Sequence, residues 1–548
     1  MGTEHMSGGQ AVVAALQKHG VRTVFGIPGG HCLPIYDALA RQQQVRHVLG
    51  RHEQGLGFMA DGYARASGRL GVAIVTSGPA VANLAGALGG ATTDTSPVLV
   101  IASTVPSDLV GKNRGGLHDC GEALEIVRPV CRHVRRCTTV GEIPHVIAEL
   151  IHRLRTGRPG AAFCEIPCDV LAAEAEMEVA DPLPVVRLAP DPRAVAQAAE
   201  LLGASERPLI IAGKGATISE AGGEVGELAR RLGALVLPTT LGRGILPGDD
   251  LRVITHDGAT VTKVYEVVAE ADVVLAVGTM FRQEDTAEWA LRPGERLIHI
   301  DIDPEEISRS YRPEVGIVAD AKAALDALLE ALPERAPARK SWLARGKTAE
   351  KQRLQRRREQ GPLEMAVLNV FRAALPRDGI AVCDRCSLGY WAFRCMSAYA
   401  PRTFQFPLGY GGLGGALPQA VGAKLARPER TVVCVIGDGG FQFTGTELAV
   451  AVQESTPITI VLCNNSAYGA IRAGQDRNYG GRRFGVELRN PDFQKLAAAY
   501  GIPAVRVGEV DSFRAALAKG IGSAELNLIE LTAELMDPPS VTLTGDDT

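Results

Sequence analysis

Two apolar runs in the last third of the chain each end in residues that could bind a metal ion. The run TVVCVIG ends at Gly437, directly before Asp438, and the run ITIVLCNN ends at Asn465. Because one helical segment separates the runs, we expect neighbouring parallel strands whose carboxyl ends bring Asp438 and Asn465 together. A carboxylate and an amide oxygen suit a hard cation such as Mg²⁺, and glycines beside Asp438 would let backbone N–H groups approach a phosphate. The spacing is equally compatible with a plain strand-end turn at GDG and a helix-capping Asn465.

A single acid lies at the start of a second notable segment. The stretch RHEQGLGFMADGYARASG, residues 51–68, predicts a helix lined with small residues and carrying one apolar face. Glu53 stands near its first turn, where a carboxylate would favour the positive end of the helix. The residues alone do not show why an acid is placed where close apolar packing is expected.

A glycine-rich segment follows the strand-like run TFQFP. It contains the pattern GxGxxG from Gly409 to Gly414. A dinucleotide site would also need an acid at the end of the next strand, and the acid there, Asp438, belongs to the more specific GDG pattern. The glycines therefore favour close backbone packing or another diphosphate cofactor over NAD.

The elements that would position these residues form three α/β modules in series. Short β-branched runs alternate with helical patterns along the whole chain, and runs this apolar are typical of parallel strands covered by helices on both faces. We predict three doubly wound parallel-sheet domains at 1–180, 190–335 and 360–548. A proline-rich joint at 179–194 and a basic joint at 345–362, expected to be a solvated helix face, connect them.

Composition excludes several classes of function. The 548 residues have a formal net charge of −4, which gives no electrostatic support for nucleic-acid binding. No apolar run is long enough for a membrane span, and the first residues do not match a secretion signal. The eleven cysteines lie mostly inside apolar runs, as buried thiols of a cytoplasmic protein do.

The motifs together resemble those of thiamine-diphosphate (ThDP) enzymes, in the acetolactate synthase, benzoylformate decarboxylase and pyruvate oxidase branch. GDG followed by NN is similar to the cofactor signature of that family. FGIPGGHCLPIYDAL, HEQGLGFMADGYARASG and VTSGP resemble acetolactate synthase, whereas GGLGGALPQAVGAKLARPERTVVCVIGDG resembles benzoylformate decarboxylase.

The resemblance implies ThDP and Mg²⁺ as cofactors. The first domain would bind the pyrimidine ring of ThDP and the last its diphosphate. The metal ligands would be Asp438, Asn465 and the backbone carbonyl of Ala467, with Leu413 beneath the cofactor. The remaining cofactor contacts would be Ser387, Gly411, Gly437, Gly439, Gly440, Tyr468 and Gly469.

Glu53 would be the catalytic acid that the resemblance implies. Its carboxylate would hydrogen-bond the N1′ atom of the pyrimidine ring and promote the imino form that activates the cofactor. Apolar surroundings would raise the pKa of this acid, and the small residues of its helix would let the pyrimidine lie against it. The family also implies a homodimer or homotetramer in which Glu53 reaches the site of a partner subunit. FAD in the central domain, near the segment HIDIDP at 299–304, is left open but not favoured.

For the reaction, we expect decarboxylation of a 2-oxo acid with carboligation, as in acetolactate synthase. The alternatives are a non-ligating decarboxylase similar to benzoylformate decarboxylase, and a catalytically silent regulatory subunit. Thr76 and Ser77 stand where benzoylformate decarboxylase has one catalytic histidine, and Gln283 and Glu284 where it has another. The candidate substrate-facing residues are His31, His118, Arg472 and Gln475.

Overall fold

The structure, a computed structural model, describes residues 4–256, 263–333 and 339–538. The elements of the first segment are β1 (Glu4–Ser7), α1 (Gly8–Lys18), β2 (Thr23–Gly26), α2 (Leu33–Ala40), β3 (Arg46–Leu49), α3 (Glu53–Ser67), β4 (Gly71–Val75), α4 (Pro79–Thr93), β5 (Val98–Thr104), α5 (Ala123–Val127), β6 (His133–Arg136), α6 (Ile143–Thr156), β7 (Ala161–Pro167), α7 (Cys168–Ala172) and β8 (Glu174–Met177).

The central segment follows an extended, exposed joint. Its elements are α8 (Pro192–Ala204), β9 (Pro208–Ala212), α9 (Lys214–Ile218), α10 (Gly222–Leu232), β10 (Leu235–Pro238), α11 (Lys263–Glu270), β11 (Val273–Val277), β12 (Arg296–Asp301), β13 (Val315–Val318), α12 (Ala321–Ala331) and the connecting helix α13 (Lys340–Gln360).

The last segment carries the GDG and NN motifs. Its elements are α14 (Pro362–Ala374), β14 (Ile380–Cys383), α15 (Ser387–Cys395), β15 (Phe404–Gln405), α16 (Ala416–Ala426), β16 (Val432–Gly437), α17 (Asp438–Thr444), α18 (Leu448–Gln453), β17 (Thr459–Cys463), α19 (Gly469–Asn478), α20 (Phe493–Ala499), β18 (Ala504–Val507), α21 (Val510–Ser523) and β19 (Asn527–Leu531).

Each segment contains one parallel sheet, which confirms the predicted α/β class. The strand orders are β3-β2-β4-β5-β7-β6, β10-β9-β11-β12-β13 and β15-β14-β16-β17-β19-β18. The inner strands β4, β5 and β7 are buried along their whole length, as expected for parallel strands with helices on both faces. The domain limits 1–180, 190–335 and 360–548 stay a prediction, and the C-terminal tail beyond residue 538 lies outside the described residues.

Three local features differ from the sequence-based expectation. Strand β1 pairs antiparallel with β8, and the two form a small separate sheet. A polar sequence such as EHMS does not predict a strand. The helix after GDG begins at Asp438 itself rather than near TGTELAVAV, because the extended Gly437 already caps it. The basic joint at 345–362 is not simply a solvated helix face: Arg353 and Arg357 of α13 are buried, and Arg353 donates a 3.1 Å hydrogen bond to the Arg394 carbonyl.

The small residues of α3 serve helix packing, which corrects our interpretation that they seat a pyrimidine ring. A Cβ at Gly62 would overlap the backbone of Gln419 in α16, and one at Gly57 would lie 2.6 Å from the Ala87 side chain in α4. The crossing of α3 and α16 joins the first and last domains, and their side chains share one apolar core. The position of Glu53 is therefore tied to the C-terminal domain of its own chain.

None of the helices in the described part of the chain combines the length and apolar content needed to cross a bilayer.

Candidate active site

A cavity of about 310 Å³ lies at the carboxyl ends of β14, β16 and β17. This is the edge at which ligands bind in open parallel sheets. Every cofactor-contact residue named above except Glu53 lines this cavity: Ser387, Gly411, Leu413, Gly437, Asp438, Gly439, Gly440, Asn465, Ala467, Tyr468 and Gly469. Residues far apart in sequence thus meet where the motif spacing predicted.

Asp438 is the buried acid of this cavity. Its carboxylate accepts a 2.7 Å hydrogen bond from the side-chain amide of Asn490, which also donates to Asn464 at 3.0 Å. Burial raises the pKa of Asp438, and hydrogen bonds from Asn490 and from the backbone N–H groups of Gly439 and Ala467 oppose that rise. The hydrogen bonds hold the carboxylate in place for a ligand in the cavity.

The two asparagines of the NN motif have separate roles in the structure. Asn464 turns into the sheet, where its amide donates a 2.8 Å hydrogen bond to Glu530. Asn465 stays beside the cavity, next to Gly469, where a Cβ would lie 2.7 Å from its side-chain nitrogen. Asn464 also borders the cavity, but its side-chain oxygen already accepts hydrogen bonds from Asn490 and the Ser466 N–H, so Asn465 is the candidate to offer an amide oxygen to a bound ion.

The donor set suits Mg²⁺. Asp438, Asn465 and the carbonyl of Ala467 all border the same cavity, and Mg²⁺ prefers such oxygen ligands while keeping sites for phosphate oxygens. Within the described residues, no group of three or more His, Cys, Asp and Glu side chains could hold a metal ion. Asp438, Asn465 and the Ala467 carbonyl would hold Mg²⁺ here, and the ion would supply positive charge for a diphosphate.

Glycines open the space that a diphosphate would fill. A Cβ at Gly439 would lie 2.6 Å from the Tyr468 ring, and one at Gly440 would lie 3.0 Å from Oδ2 of Asp384. The same Asp384 oxygen accepts a 2.7 Å hydrogen bond from the Gly414 N–H and so fixes the glycine-rich loop. Burial raises the pKa of Asp384 to about 6. The sequence analysis did not identify Asp384, although a polar residue directly after strand β14 is expected at the ligand-binding edge of the sheet.

Arg385, which lines the cavity, is a second residue that the sequence analysis missed. Its guanidinium donates to the carbonyls of Pro407 and Leu408 at 3.0 and 2.8 Å, and to Glu284 at 3.0 Å. Glu284 belongs to the central domain, so this ion pair connects that domain to the cavity. Arg385 adds a fixed positive charge at the cavity wall, beside Gly411.

Glu53 is the first residue of α3 and does not line this cavity. Its carboxylate accepts a 2.9 Å hydrogen bond from the side-chain amide of Asn83 in α4. Within one chain, Glu53 therefore lies outside the cavity that contains Asp438.

His31 and His118 form one polar cluster with Ser77. The Oγ atom of Ser77 lies 2.6 Å from Nδ1 of His31 and 3.3 Å from Nδ1 of His118. The two imidazole rings meet edge to face with centroids 5.4 Å apart. Burial, with a smaller contribution from His118, lowers the pKa of His31. This cluster lies after β2 and β4, on the same sheet edge as the start of α4 that carries Asn83.

Arg472 and Gln475 lie on α19 but do not line the cavity. Arg472 lies 3.6 Å from the carboxylate of Glu487. Gln475 exchanges two hydrogen bonds of 2.9 and 3.0 Å with the backbone of Phe484. In the described structure both side chains hold the segment after α19, and their assignment to substrate stays a prediction.

Asp94 joins all three domains near the glycine-rich loop. Its buried carboxylate accepts hydrogen bonds from Arg65, from Arg282 of the central domain, and from the backbone N–H groups of Leu408 and Gly409. Despite the opposing effect of burial, these cations lower the pKa of Asp94 to about 2. The network fixes the start of the loop that borders the cofactor cavity.

A separate cavity of about 460 Å³ lies between the first and central domains, beside the HIDIDP segment. Asp301 and Asp320 line it, together with Lys214 and Arg282. Burial raises the pKa of Asp301 to about 6. The cavity has room and polar groups for a nucleotide portion, and FAD there remains an open but unfavoured prediction.

Comparisons with known proteins agree with this geometry. The N-terminal TPP binding domain of thiamine pyrophosphate enzymes matches residues 6–126, the central domain of those enzymes matches 195–328, and their C-terminal TPP binding domain matches 384–531.

Full-length relatives extend the comparison. The chain is 39% identical to the probable 2-ketoarginine decarboxylase of Pseudomonas aeruginosa, over 96% of this chain and 94% of that protein. It is 34% identical to the probable acetolactate synthase large subunit of Methanocaldococcus jannaschii, over 98% and 95% of the two chains. It is also 34% identical to the acetolactate synthase large subunit of Corynebacterium glutamicum, over 94% and 85%. The chain therefore belongs to the thiamine-diphosphate-dependent enzymes, in the branch that contains the acetolactate synthases.

Proposed function

We propose that this enzyme uses ThDP and Mg²⁺ to decarboxylate a 2-oxo acid and releases the product as an aldehyde. The observation that carries the proposal is the cluster of His31, Ser77 and His118, which offers proton-transferring groups directly before α4, the helix whose Asn83 bonds Glu53. The relative named as a probable 2-ketoarginine decarboxylase supports the same reaction class and suggests 2-ketoarginine as a substrate to test.

Each part of the site would have a distinct task. Asp438, Asn465 and the Ala467 carbonyl would hold Mg²⁺, and Gly439 and Gly440 would leave room for the diphosphate. When bound, ThDP supplies a carbon nucleophile that adds to the oxo group and takes up the electrons left when CO₂ departs. Glu53, oriented by Asn83, would share a proton with the pyrimidine nitrogen and so favour the imino form that generates that nucleophile.

The cluster of His31, Ser77 and His118 would determine whether the product leaves as an aldehyde. An aldehyde forms when the chain delivers a proton to the carbon that carried the carboxylate. His118 and His31 are linked through Ser77, so one imidazole can donate while the other replaces the proton through the hydroxyl.

Carboligation, the outcome preferred in the sequence analysis, is the second candidate. It is supported by the two acetolactate synthase relatives and by the absence of histidine at Thr76, Ser77, Gln283 and Glu284. The joint presence of Glu53, Asp438 and Asn465 argues against a silent regulatory subunit. We further infer a cytoplasmic homodimer or homotetramer, with Glu53 contributed to the cavity of a partner subunit and no nucleic-acid partner.

The ratio of products separates the two candidates. The enzyme is incubated with ThDP, Mg²⁺ and 2-ketoarginine, pyruvate or benzoylformate in turn, and CO₂, aldehyde and hydroxyketone are quantified. The proposal expects one aldehyde per CO₂ from the best substrate. Acetolactate or another hydroxyketone as the main product would instead establish the carboligase.

A further inference from the structure

Glu447 is a buried acid between the first and last domains to which no role has been assigned above. It ends the short 3₁₀ turn Gly445–Glu447 that follows α17, on the same stretch of chain as Asp438. Its side chain is fully buried. Because a carboxylate away from water must be hydrogen-bonded, its partners indicate its function.

Those partners are the two backbone N–H groups directly before Glu53. The His52 N–H donates to Oε1 of Glu447 at 2.9 Å, and the Arg51 N–H donates to Oε2 at 3.3 Å. His52 is the N-terminal cap of α3, and its carbonyl accepts the first hydrogen bond of the helix, from Leu56. The carboxylate therefore holds the turn from which the helix and Glu53 begin.

Gly55 lets Glu447 come this close. A Cβ at Gly55 would overlap Oε1 of Glu447, so a larger residue would push the carboxylate away from the turn. The side chain of Glu447 and the backbone of residues 51–55 are consequently fitted to each other. A change in the position of the carboxylate would move the first turn of α3.

Glu447 contacts the backbone N–H group of Arg51 and not its charged guanidinium. The guanidinium of Arg51 donates to Gln453 at 2.7 Å and to the carbonyls of Leu49 and Gly50. Burial raises the pKa of Glu447 to about 7, with the nearby charge of Glu53 adding to the rise and the Arg51 charge opposing it. No other carboxylate in the described structure bonds the N–H groups of residues 51 and 52.

We propose that Glu447 is a positioning residue that fixes the start of α3 and thereby orients the Glu53 carboxylate toward the pyrimidine nitrogen of ThDP. The inference rests on the proposed function of Glu53. A displacement of about 1 Å at a group in direct contact with a cofactor can cost roughly 100-fold in rate, so loss of this anchor should reduce turnover strongly.

Two substitutions and one matched control test the proposal. Glu447→Ala removes both acceptors, whereas Glu447→Gln keeps one acceptor oxygen for one of the two N–H groups. The control is Glu454→Gln, because Glu454 also connects the last domain to the first, through an ion pair with Arg46 away from α3. We expect kcat to fall about 10- to 100-fold for Glu447→Ala and less for Glu447→Gln, with KM for the 2-oxo acid within about three-fold. Glu454→Gln should match the wild type.

A readout independent of turnover is the near-ultraviolet circular dichroism of bound ThDP, which reports its imino form as pH is varied. Glu447→Ala should shift the midpoint of that signal, and Glu447→Gln should lie between it and the wild type. If Glu447→Ala does not fold, Glu447→Gln decides alone. Wild-type kcat and midpoint in folded Glu447→Gln and Glu447→Ala would overturn the proposal. If wild-type enzyme shows neither the ThDP signal nor CO₂ release, the proposed function has failed and not this inference.

Discussion

The side-chain amide of Asn83 donates a 2.9 Å hydrogen bond to the carboxylate of Glu53, and this contact joins the first turns of α4 and α3. The second carboxylate oxygen of Glu53 has no hydrogen-bond partner among the described residues. One oxygen is thus held by the protein while the other can meet a ligand.

Removing this donor should weaken activity without unfolding the chain. Asn83→Ala deletes one hydrogen bond to a charged group at a partly open position, for which about a 5- to 20-fold loss in kcat is expected. Asn83→Asp should lose more, because two carboxylates would then face each other. Steady-state kinetics with melting temperatures measured in parallel check this. Wild-type kcat in Asn83→Ala would show that Asn83 does not orient Glu53.

The histidine cluster makes a prediction about product. His118→Ala and His31→Ala should each lower aldehyde formation by about 100-fold, the usual contribution of general acid catalysis, while initial release of CO₂ persists for one turnover. Because Ser77 links the two rings, the double variant should cost less than the sum of the single losses. Single-turnover product analysis tests this. Additive losses would mean that the two histidines act independently.

Subunit mixing tests the shared site. Glu53→Gln and Asp438→Ala should each be inactive, but a mixed assembly has one site that carries both changes and one that carries neither. Equal mixing after dissociation should restore about a quarter of wild-type activity if dimers form at random. Each variant mixed with itself serves as the control. Mixtures that stay inactive, although exchange is shown by differential tags, would place the whole site in one chain.

Asp94 should make a large contribution to stability, and that contribution should depend on pH. Asp94→Ala leaves Arg65 and Arg282 without their shared partner in a buried junction, for which a cost of about 3–5 kcal/mol is typical. Since the pKa of Asp94 is lowered to about 2, the folded state binds fewer protons than the unfolded chain in acid. The stability gain is therefore complete only well above the pKa of about 3.9 that Asp has in an unfolded chain, and it is lost as pH falls toward 2.

Thermal unfolding of the wild type and Asp94→Ala at pH 7 and near pH 3 measures this effect, because the difference between their melting temperatures should shrink at the lower pH. Asp108→Asn is a suitable control. Asp108 is exposed, so the substitution removes the same negative charge without leaving a buried cation unpaired. A melting temperature of Asp94→Ala equal to that of the control at pH 7 would contradict the assigned role.

The sequence allowed the fold and most of the cavity to be predicted for one reason. Apolar β-branched runs mark parallel strands, and residues directly after such strands meet at one sheet edge. Asp438, Asn465 and the surrounding glycines follow that rule and line one cavity. Of the GxGxxG glycines, Gly411 borders that cavity, whereas the N–H groups of Gly409 and Gly414 are bonded to Asp94 and Asp384.

Contacts between domains could not be predicted in the same way. Glu447 lies in a short turn after α17, and its partners are backbone groups almost 400 positions earlier, as the 395-residue separation from His52 shows. Asp94 and the Arg385–Glu284 pair likewise act across domain boundaries. No periodicity or strand-end rule specifies such pairs, because they depend on how whole domains pack. The same reason explains why the glycines of α3 were assigned to a cofactor and not to α16.

The most direct test of the account compares CO₂ release by the wild-type enzyme and Glu53→Gln, each with ThDP, Mg²⁺ and 2-ketoarginine, pyruvate or benzoylformate. Glu53→Gln keeps the size and hydrogen-bonding shape of the side chain but cannot hold a negative charge, so circular dichroism should show an unchanged fold. We expect the wild type to release CO₂ from at least one of these acids only when both cofactors are present, and Glu53→Gln to lose nearly all of that activity. CO₂ release at the wild-type rate by Glu53→Gln, or no release by the wild type from any 2-oxo acid, would contradict the account.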